Sequence, residues 1–396
     1  MDTLVKISHR LLDRVDLSYK RYLYDEIDWA PRLIVLKGAR GVGKTTLLQQ
    51  YLIEHKDRET SIYLSLDHIT FSERRLYDVI DDFYELGYRA FVLDEVHKYE
   101  NWSIEIKNIY DSFPDVQVLL TASSATNIRS GTGDLSRRAD VYTLPGLSFR
   151  EYLRYQKDYE MEVIDMEILM KDHVEIAQYL SSNMDILRYF RDYLKNGYYP
   201  YYKESAARYY DRINGVVGHV LEMDLPALFG LEYKSVRQVK HLLSIVTRLA
   251  PYSPNISKVA TQIEIGRSRV LQLLDHLSAA EILLLLKSAK RSDSALTKPD
   301  KIYLENTNLM HALSTMTPDT GSVRETAFYS MTRVTEEIHT PARGDFMLNQ
   351  SYTIEVGGPS KDFHQVRDMP NPILAKDGIK VGKGDTIPLW LFGMLY

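Results

Sequence analysis

RLIVLKGARGVGKTTLLQQYLIEH spans residues 32–55, and its three parts read in order as strand, turn and helix. RLIVLK (32–37) is a short apolar run, and TTLLQQYLIEH (45–55) has helical character. Between them, Gly38-Ala39-Arg40-Gly41-Val42-Gly43-Lys44-Thr45 matches the full pattern GxxxxGK[ST]. Glycines allow backbone N–H groups to close around phosphate oxygens. The helix that follows turns its positive N-terminus toward them. Lys44 is placed to reach the β- and γ-phosphates of ATP, and the Thr45 hydroxyl to ligate Mg²⁺. Thr46 completes the set of candidate nucleotide contacts.

Outward from this loop, strand-like and helix-like runs alternate. SIYLSL (61–66), RAFVLDE (89–95), VQVLLTASS (116–124) and DVYTL (140–144) read as strands, with helices around 73–86 and from Trp102 to Ser112. Apolar strands alternating with helices imply an α/β fold built on a parallel sheet with helices on both faces. AFVLDE ends a buried strand in two carboxylates beside the phosphates. Asp94 is the candidate for the Mg²⁺ shell, and Glu95 the candidate base for the attacking water. Ser123, in the strand end Thr121-Ala122-Ser123-Ser124, can lie level with a γ-phosphate and report its presence, or be a plain strand-end cap. In Asp134-Leu135-Ser136-Arg137-Arg138, an arginine can offset transition-state charge in cis or from a neighbouring subunit, or be a solvated surface pair. His97 can couple Glu95 to a neighbour or be structural.

Composition sets the limits. The chain has 396 residues, no cysteine, 26% charged residues and a formal net charge of −5. Zero cysteine excludes disulfides, thiolate zinc sites and a cysteine nucleophile. The start of the sequence lacks the apolar core of a signal peptide, and no run approaches the roughly 18 apolar residues of a membrane span. A cytoplasmic protein with no membrane partner is expected. Tyrosine is in excess, 29 against 11 phenylalanines, and clusters at Tyr198-Tyr199, Tyr201-Tyr202 and Tyr209-Tyr210. These rings can stack bases, form an interface or pack internally.

VLKGARGVGKTTLLQQ, YLSLDH, FVLDEVHK, LLTASS, DLSRRADVYTLPGLSFREYL and YLKNGYYP together resemble the AAA-like ATPases of bacteria and archaea that carry a C-terminal domain of uncharacterised function. The closing stretch from EVGG to LWLFGMLY is also similar. The resemblance implies ATP hydrolysis, a possible homo-oligomer, and Arg138 as the matching arginine with Arg137 beside it. It suggests four parts: a P-loop NTPase core over 1–147, a helical lid or linker over 148–230, a winged helix-turn-helix over 231–305 and a small nuclease-like α/β domain over 306–396.

Residues 234–291 hold ten basic and three acidic side chains, a local net charge of +7 that leaves −12 elsewhere. Lys290 and Arg291 are two of the ten. SPNISKVATQIEIGRSRVLQLLDHLSAAEILLLL reads as helix, turn, helix and strand. Asn255 and Ser257 are cap candidates, and Gly266 the turn. The segment resembles a winged helix-turn-helix. Arg267, Ser268 and Arg269 would open a recognition helix facing double-stranded DNA. Docking onto protein is the alternative.

Near the end, Glu325 starts a helix candidate, and a hairpin would bring Asp345 to Glu355. Converging carboxylates can bind Mg²⁺. The layout resembles a PD-(D/E)xK nuclease core, except that the lysine expected two residues after Glu355 is Gly357. Lys361 can substitute, with Gln365 on a following helix. An active nuclease, an inactive fold used for binding and an unrelated fold all remain open at this point. The expected function is Mg²⁺-dependent hydrolysis of the β–γ bond of ATP coupled to DNA. The alternative is a nucleotide-controlled assembly switch.

Overall fold

The computed structural model describes residues 1–126, 135, 137–289 and 297–396. Lys290 and Arg291 of the basic segment, and Asp134 and Ser136 beside the candidate arginines, lie outside the described residues. The chain divides into two compact units, Met1–Pro145 with Met223–Gly230, and Gly146–Glu222 with Leu231–Tyr396.

The first unit contains helices α1 (Asp2–Leu12), α2 (Leu23–Glu26), α3 (Lys44–His55), α4 (Thr70–Glu73), α5 (Leu76–Glu85) and α6 (Trp102–Ser112). Its strands are β1 (Leu33–Gly38), β2 (Ser61–Ser65), β3 (Ala90–Asp94), β4 (Gln117–Ser123) and β5 (Asp140–Thr143). They form one sheet in the order β2-β3-β4-β1-β5, with every pairing parallel. Alternation along each strand assigns the two faces. Leu33, Val35, Phe91, Leu93, Val118 and Leu120 share a core with Val79, Ile80 and Phe83 of α5 and Ile106 and Ile109 of α6. The intervening residues Ile34, Leu36, Val92 and Leu119 are also fully buried, and α3 packs against β1 to β4. Truncating one of these leucines to alanine is expected to cost about 2–5 kcal/mol. The helix expected around 73–86 is α5, preceded by the short α4, with Arg74 extended between them.

The parallel register aligns the strand ends that build the site. Gly38 pairs with Ser123, and Ser65 with Asp94. The chain ends its strands β1, β3 and β4 where the phosphate loop, the acidic pair and Ser123 sit. The carboxyl edge of such a sheet is where ligands bind in open α/β folds.

The second unit opens with α7 (Phe149–Lys157), α8 (Met166–Asn183), α9 (Ile186–Asn196) and α10 (Tyr209–His219). Helix α7 starts with a capping box, in which Ser148 accepts from the Glu151 backbone and Glu151 accepts from that of Ser148. The next helix, α11 (Leu225–Phe229), belongs to the first unit. Then follow α12 (Tyr233–Leu249), α13 (Ile256–Gln262), α14 (Arg267–Ala279), and the antiparallel pair β6 (Leu283–Leu286) and β7 (Lys301–Leu304). Last come α15 (Thr307–Leu313), α16 (Thr320–Thr332) and strands β8 (Ile338–His339), β9 (Phe346–Leu348), β10 (Tyr352–Gly357), β11 (Pro372–Lys376) and β12 (Thr386–Pro388). The sheet order is β12-β11-β10-β9-β8, antiparallel from β8 to β10 and parallel from β10 to β12.

The segment read as a lid shares one core with the C-terminal sheet. Phe149, Leu153, Leu169 and Phe190 cluster with Tyr303, Phe328, Phe346, Ile354, Trp390 and Phe392. The amphipathic faces of α7 to α9 therefore share a core with residues about 110–240 positions later, a pairing that no local pattern announces.

In the tyrosine clusters Tyr198, Tyr199 and Tyr209 are buried, and Tyr201, Tyr202 and Tyr210 are half-buried. Tyr198 donates to Glu305 at 2.5 Å, Tyr209 to Asn308 at 2.5 Å, and the Asn306 amide donates to Tyr199 at 3.1 Å. Arg333 pairs with the same Glu305, which is 0% exposed. Tyrosine supplies large apolar area plus a hydroxyl that can satisfy buried polar partners, which phenylalanine cannot do.

Candidate nucleotide-binding site

The loop between β1 and α3 depends on two glycines. Gly38 has φ +152°, and a Cβ there would strike the Leu144 carbonyl oxygen. Gly43 caps α3 at φ +100°, in the left-handed region that side chains disfavour. Loop residues Ala39 and Val42 are buried, whereas Gly41 is exposed. The loop is braced from behind by Arg21, which donates to the Val42 carbonyl at 2.5 Å and to that of Pro145 at 2.9 Å. Lys44 folds over the loop, donating to the carbonyls of Gly38 at 2.9 Å and Ala39 at 2.8 Å.

Thr45 donates to both carboxylate oxygens of Asp94, at 3.0 and 3.1 Å. A hydroxyl and a carboxylate in contact offer hard oxygen donors, which suit Mg²⁺. Asp94 is buried and fixed by two further donors, the Tyr63 hydroxyl at 2.6 Å and the Thr121 hydroxyl. Burial, and then the adjacent Asp94 charge, push the Tyr63 hydroxyl well above its ordinary value, so it stays a donor. Neither Tyr63 nor Thr121 stands out in the sequence. Both project from strands next to β3, and only the register brings them to Asp94.

Glu95 follows in the left-handed conformation, φ 56° and ψ 38°, with its N–H donating to the Thr121 hydroxyl at 3.0 Å. A non-glycine residue held there is a strained position of the kind that clusters at functional sites. Three cationic or titratable side chains surround the Glu95 carboxylate: Arg40 at 3.3 Å, Lys98 at 3.3 Å and His97 at 3.7 Å. Burial opposes the charge of Lys98, yet Asp67 and Glu95 hold its ammonium above the usual range. Asp224 also faces Arg40 and His97, at 3.9 Å from each. The Ser123 N–H points to His97 Nδ1 at 3.4 Å.

The candidate arginines lie differently. Arg138 makes a two-pronged ion pair with Asp111 of α6 at 3.0 and 3.1 Å, and Arg137 is exposed. The structure does not bring either together with the phosphate loop; Arg138 has the surface pairing of the alternative reading.

In the helix-turn-helix segment, Asn255 caps α13 as expected, but Ser257 lies inside that helix. The left-handed turn residue is Glu264 at φ 57°, whereas Gly266 has an ordinary φ of −69°. Arg267 and Ser268 are exposed at the start of α14. Arg269 is half-buried and engaged with Ser235 at 3.0 Å and Gln272 at 2.6 Å.

In the C-terminal sheet, Glu325 is on α16, Asp345 immediately precedes β9, and Glu355 is on β10. The β9–β10 pairing is antiparallel, as the hairpin reading requires. Each outer carboxylate has its own cation: Lys301 binds Glu325 at 2.5 Å, and Lys361 pairs with Glu355. A Cβ at Gly357 would collide with the stem of Lys361, so the missing lysine and the substitute occupy the same space. Gln365 meets Lys361 at 3.2 Å from a turn rather than the expected helix. Burial, then the neighbouring Glu325 charge, raise Asp345 to about 7. Among the described residues, no group of three or more histidine, aspartate or glutamate side chains is arranged to hold a metal ion.

Residues 30–153 match the family model described as an AAA domain. Over 94% of its length the chain is 26% identical to an uncharacterized protein of Methanocaldococcus jannaschii, 87% of which is covered. Among solved structures, a variant of Thermotoga maritima RuvB is similar at 13% identity and a TM-score of 0.32, covering 72% of this chain and 90% of the other. C. elegans PCH-2 is similar at 17% identity and a TM-score of 0.25, covering 70% and 67%. The segment that matches the AAA domain carries the all-parallel sheet and the phosphate loop. Among the described residues, no helix is long and apolar enough to cross a membrane.

Proposed function

We propose that the first unit binds ATP with Mg²⁺ and hydrolyses the β–γ phosphoanhydride, and that turnover is coupled to double-stranded DNA. The observation that carries the hydrolytic reading is the convergence of Lys44, Thr45, Asp94 and Glu95 at the ends of β1 and β3. Backbone N–H groups of residues 39–45 cradle the phosphates. Lys44 leaves the carbonyls of Gly38 and Ala39 for the β- and γ-phosphates. Thr45 and Asp94 would hold Mg²⁺, which would supply positive charge against the phosphates. Glu95 accepts the proton of the attacking water. Ser123 stands at the γ-phosphate end of β4 and contacts His97. Arg138, or Arg137, acts on phosphate charge only from a second copy of the chain, which would make the working form a homo-oligomer.

The DNA reading is supported by the +7 charge of residues 234–291 and by the exposure of Arg267 and Ser268. We place the contact on a winged helix formed by α12 to α14 with β6 and β7. Arg269 favours a second reading, docking onto protein, because its guanidinium is already engaged inside the unit. The C-terminal sheet is read as a nuclease-like fold retained for binding, since two of its three candidate carboxylates are neutralised by lysines. ATP turnover with and without duplex DNA, in wild type and Glu95→Gln, tests the proposal. Slow Mg²⁺-dependent hydrolysis that DNA stimulates, and that Glu95→Gln abolishes while nucleotide binding survives, is expected. Undiminished turnover in Glu95→Gln removes the proposed base.

A further inference from the structure

The first unit is not one continuous stretch of chain. Met223–Gly230 belongs to it, although the residues on both sides of that segment belong to the second unit. The segment begins in a π-helical turn, Val220–Asp224, and continues as α11 with Pro226 in its first turn. π-Helical turns are rare and frequent at functional sites. It delivers one carboxylate, Asp224, which is 5% exposed.

Asp224 arrives at the group that restrains the candidate base. Arg40 Nη1 is 3.3 Å from Glu95 Oε2 and 3.9 Å from Asp224 Oδ2. His97 Nε2 is 3.7 Å from Glu95 Oε2 and 3.9 Å from Asp224 Oδ1. His97 is held from its other side by the Ser123 N–H, and among the described residues its buried Nε2 has no hydrogen-bond partner. One guanidinium and one imidazole are thus shared between two carboxylates. A guanidinium seated on Glu95 ties up one oxygen of the carboxylate. That oxygen is then not open to an attacking water. A second carboxylate that draws Arg40 away uncovers it.

We propose that Asp224 and His97 are positioning residues for Glu95, with Asp224 competing for Arg40 so that the base is released for water activation. This rests on the reading of Glu95 as that base. Arg40 lies within the phosphate loop, so occupation of the loop and the position of Asp224 act on the same side chain. The segment is covalently joined to the second unit at both ends, so displacement of its ends acts on Asp224. The proposal therefore gives the second unit a defined route to the hydrolytic step through one carboxylate.

The test is steady-state ATP turnover and ADP affinity of the full chain for wild type, Asp224→Asn, Asp224→Glu, and Asp224→Asn combined with Arg40→Gln. Asp224→Asn is expected to lower kcat about tenfold with KM and ADP affinity within about twofold, because binding groups are untouched. Asp224→Glu recovers most of the loss. Adding Arg40→Gln to Asp224→Asn raises kcat again, whatever it does to KM, since the captured base is freed. A generally damaged fold would instead lose affinity and would not respond to the second substitution. Unchanged kcat in Asp224→Asn, or independent losses in the double variant, overturns the proposal. If wild type binds ADP but does not hydrolyse ATP, the hydrolytic reading fails by itself. The shared contact is then read from melting temperatures of the same variants and Arg40→Gln alone, where additive shifts overturn it.

Discussion

The Thr45 hydroxyl lies 3.0 and 3.1 Å from the two oxygens of the Asp94 carboxylate. This contact joins the first turn of α3 to the end of β3, so the cation site is tied to the sheet that also carries Glu95. Asp94→Asn keeps the shape and removes the charge. Its expected result is Mg²⁺ affinity weakened by about 10–100-fold with ADP affinity in EDTA nearly unchanged. Calorimetric titration of Mg²⁺ into the ADP complex reads this directly. Equal Mg²⁺ affinity in the variant would show that Asp94 serves only to hold Thr45, Tyr63 and Thr121.

The second unit has its own polar core, and Arg333 is its critical member. Arg333 meets Glu305 at 2.5 Å, Tyr198 donates to the same oxygen at 2.5 Å, and Glu305 is fully buried. Arg333→Met strands a buried carboxylate, and its expected cost is about 3–5 kcal/mol. Adding Glu305→Gln to Arg333→Met should recover part of that loss, because the stranded charge is gone. Chemical denaturation of wild type, the two single variants and the double variant gives the coupling, and strictly additive losses would contradict it.

The parts of the molecule differ in how far their sequence discloses them, for physical reasons. The phosphate loop, β1 and α3 are contiguous, so their turn chemistry and periodicity are visible locally. Asp94 and Glu95 are visible because a buried strand rarely ends in two carboxylates. Arg21, Tyr63, Thr121 and Asp224 are not visible, since each reaches the site only through tertiary structure. The same applies to the segment read as a lid: its amphipathic helices show that something covers them, not that Phe328 and Trp390 do. At the helix-turn-helix, glycine is the natural choice for the turn, yet Glu264 adopts the left-handed conformation. Tyr198, Tyr199 and Tyr209 acquire their account only from Glu305, Asn306 and Asn308, the carboxylate and amide partners that the fold supplies.

If α14 meets DNA, its two arginines should contribute unequally. Arg267 is exposed, whereas Arg269 is already bonded to Ser235 and Gln272. Arg267→Glu is expected to weaken duplex binding about tenfold at low salt and to flatten its salt dependence. Arg269→Glu should lower stability as well, through the lost bond to α12. Unaltered gel-shift affinity in the double variant would exclude this helix as the contact and favour docking onto protein.

Asp345 makes the C-terminal sheet sensitive to pH. Its carboxyl is raised to about 7 from an ordinary 3.8, first by burial and then by Glu325. Between those values the folded protein keeps a proton that the unfolded chain releases. Stability is therefore fully present below about pH 4 for this group and is lost as pH rises through about 7. An asparagine side chain at this position would carry no charge at any pH and could still accept from the Val356 N–H, which Asp345 now does at 2.8 Å. Asp345→Asn should accordingly stabilise the protein at pH 8, on the order of 2–4 kcal/mol, and much less at pH 5. Melting temperatures of both proteins across that range in EDTA decide it. Parallel profiles would show that Asp345 is not the group whose titration sets the pH dependence.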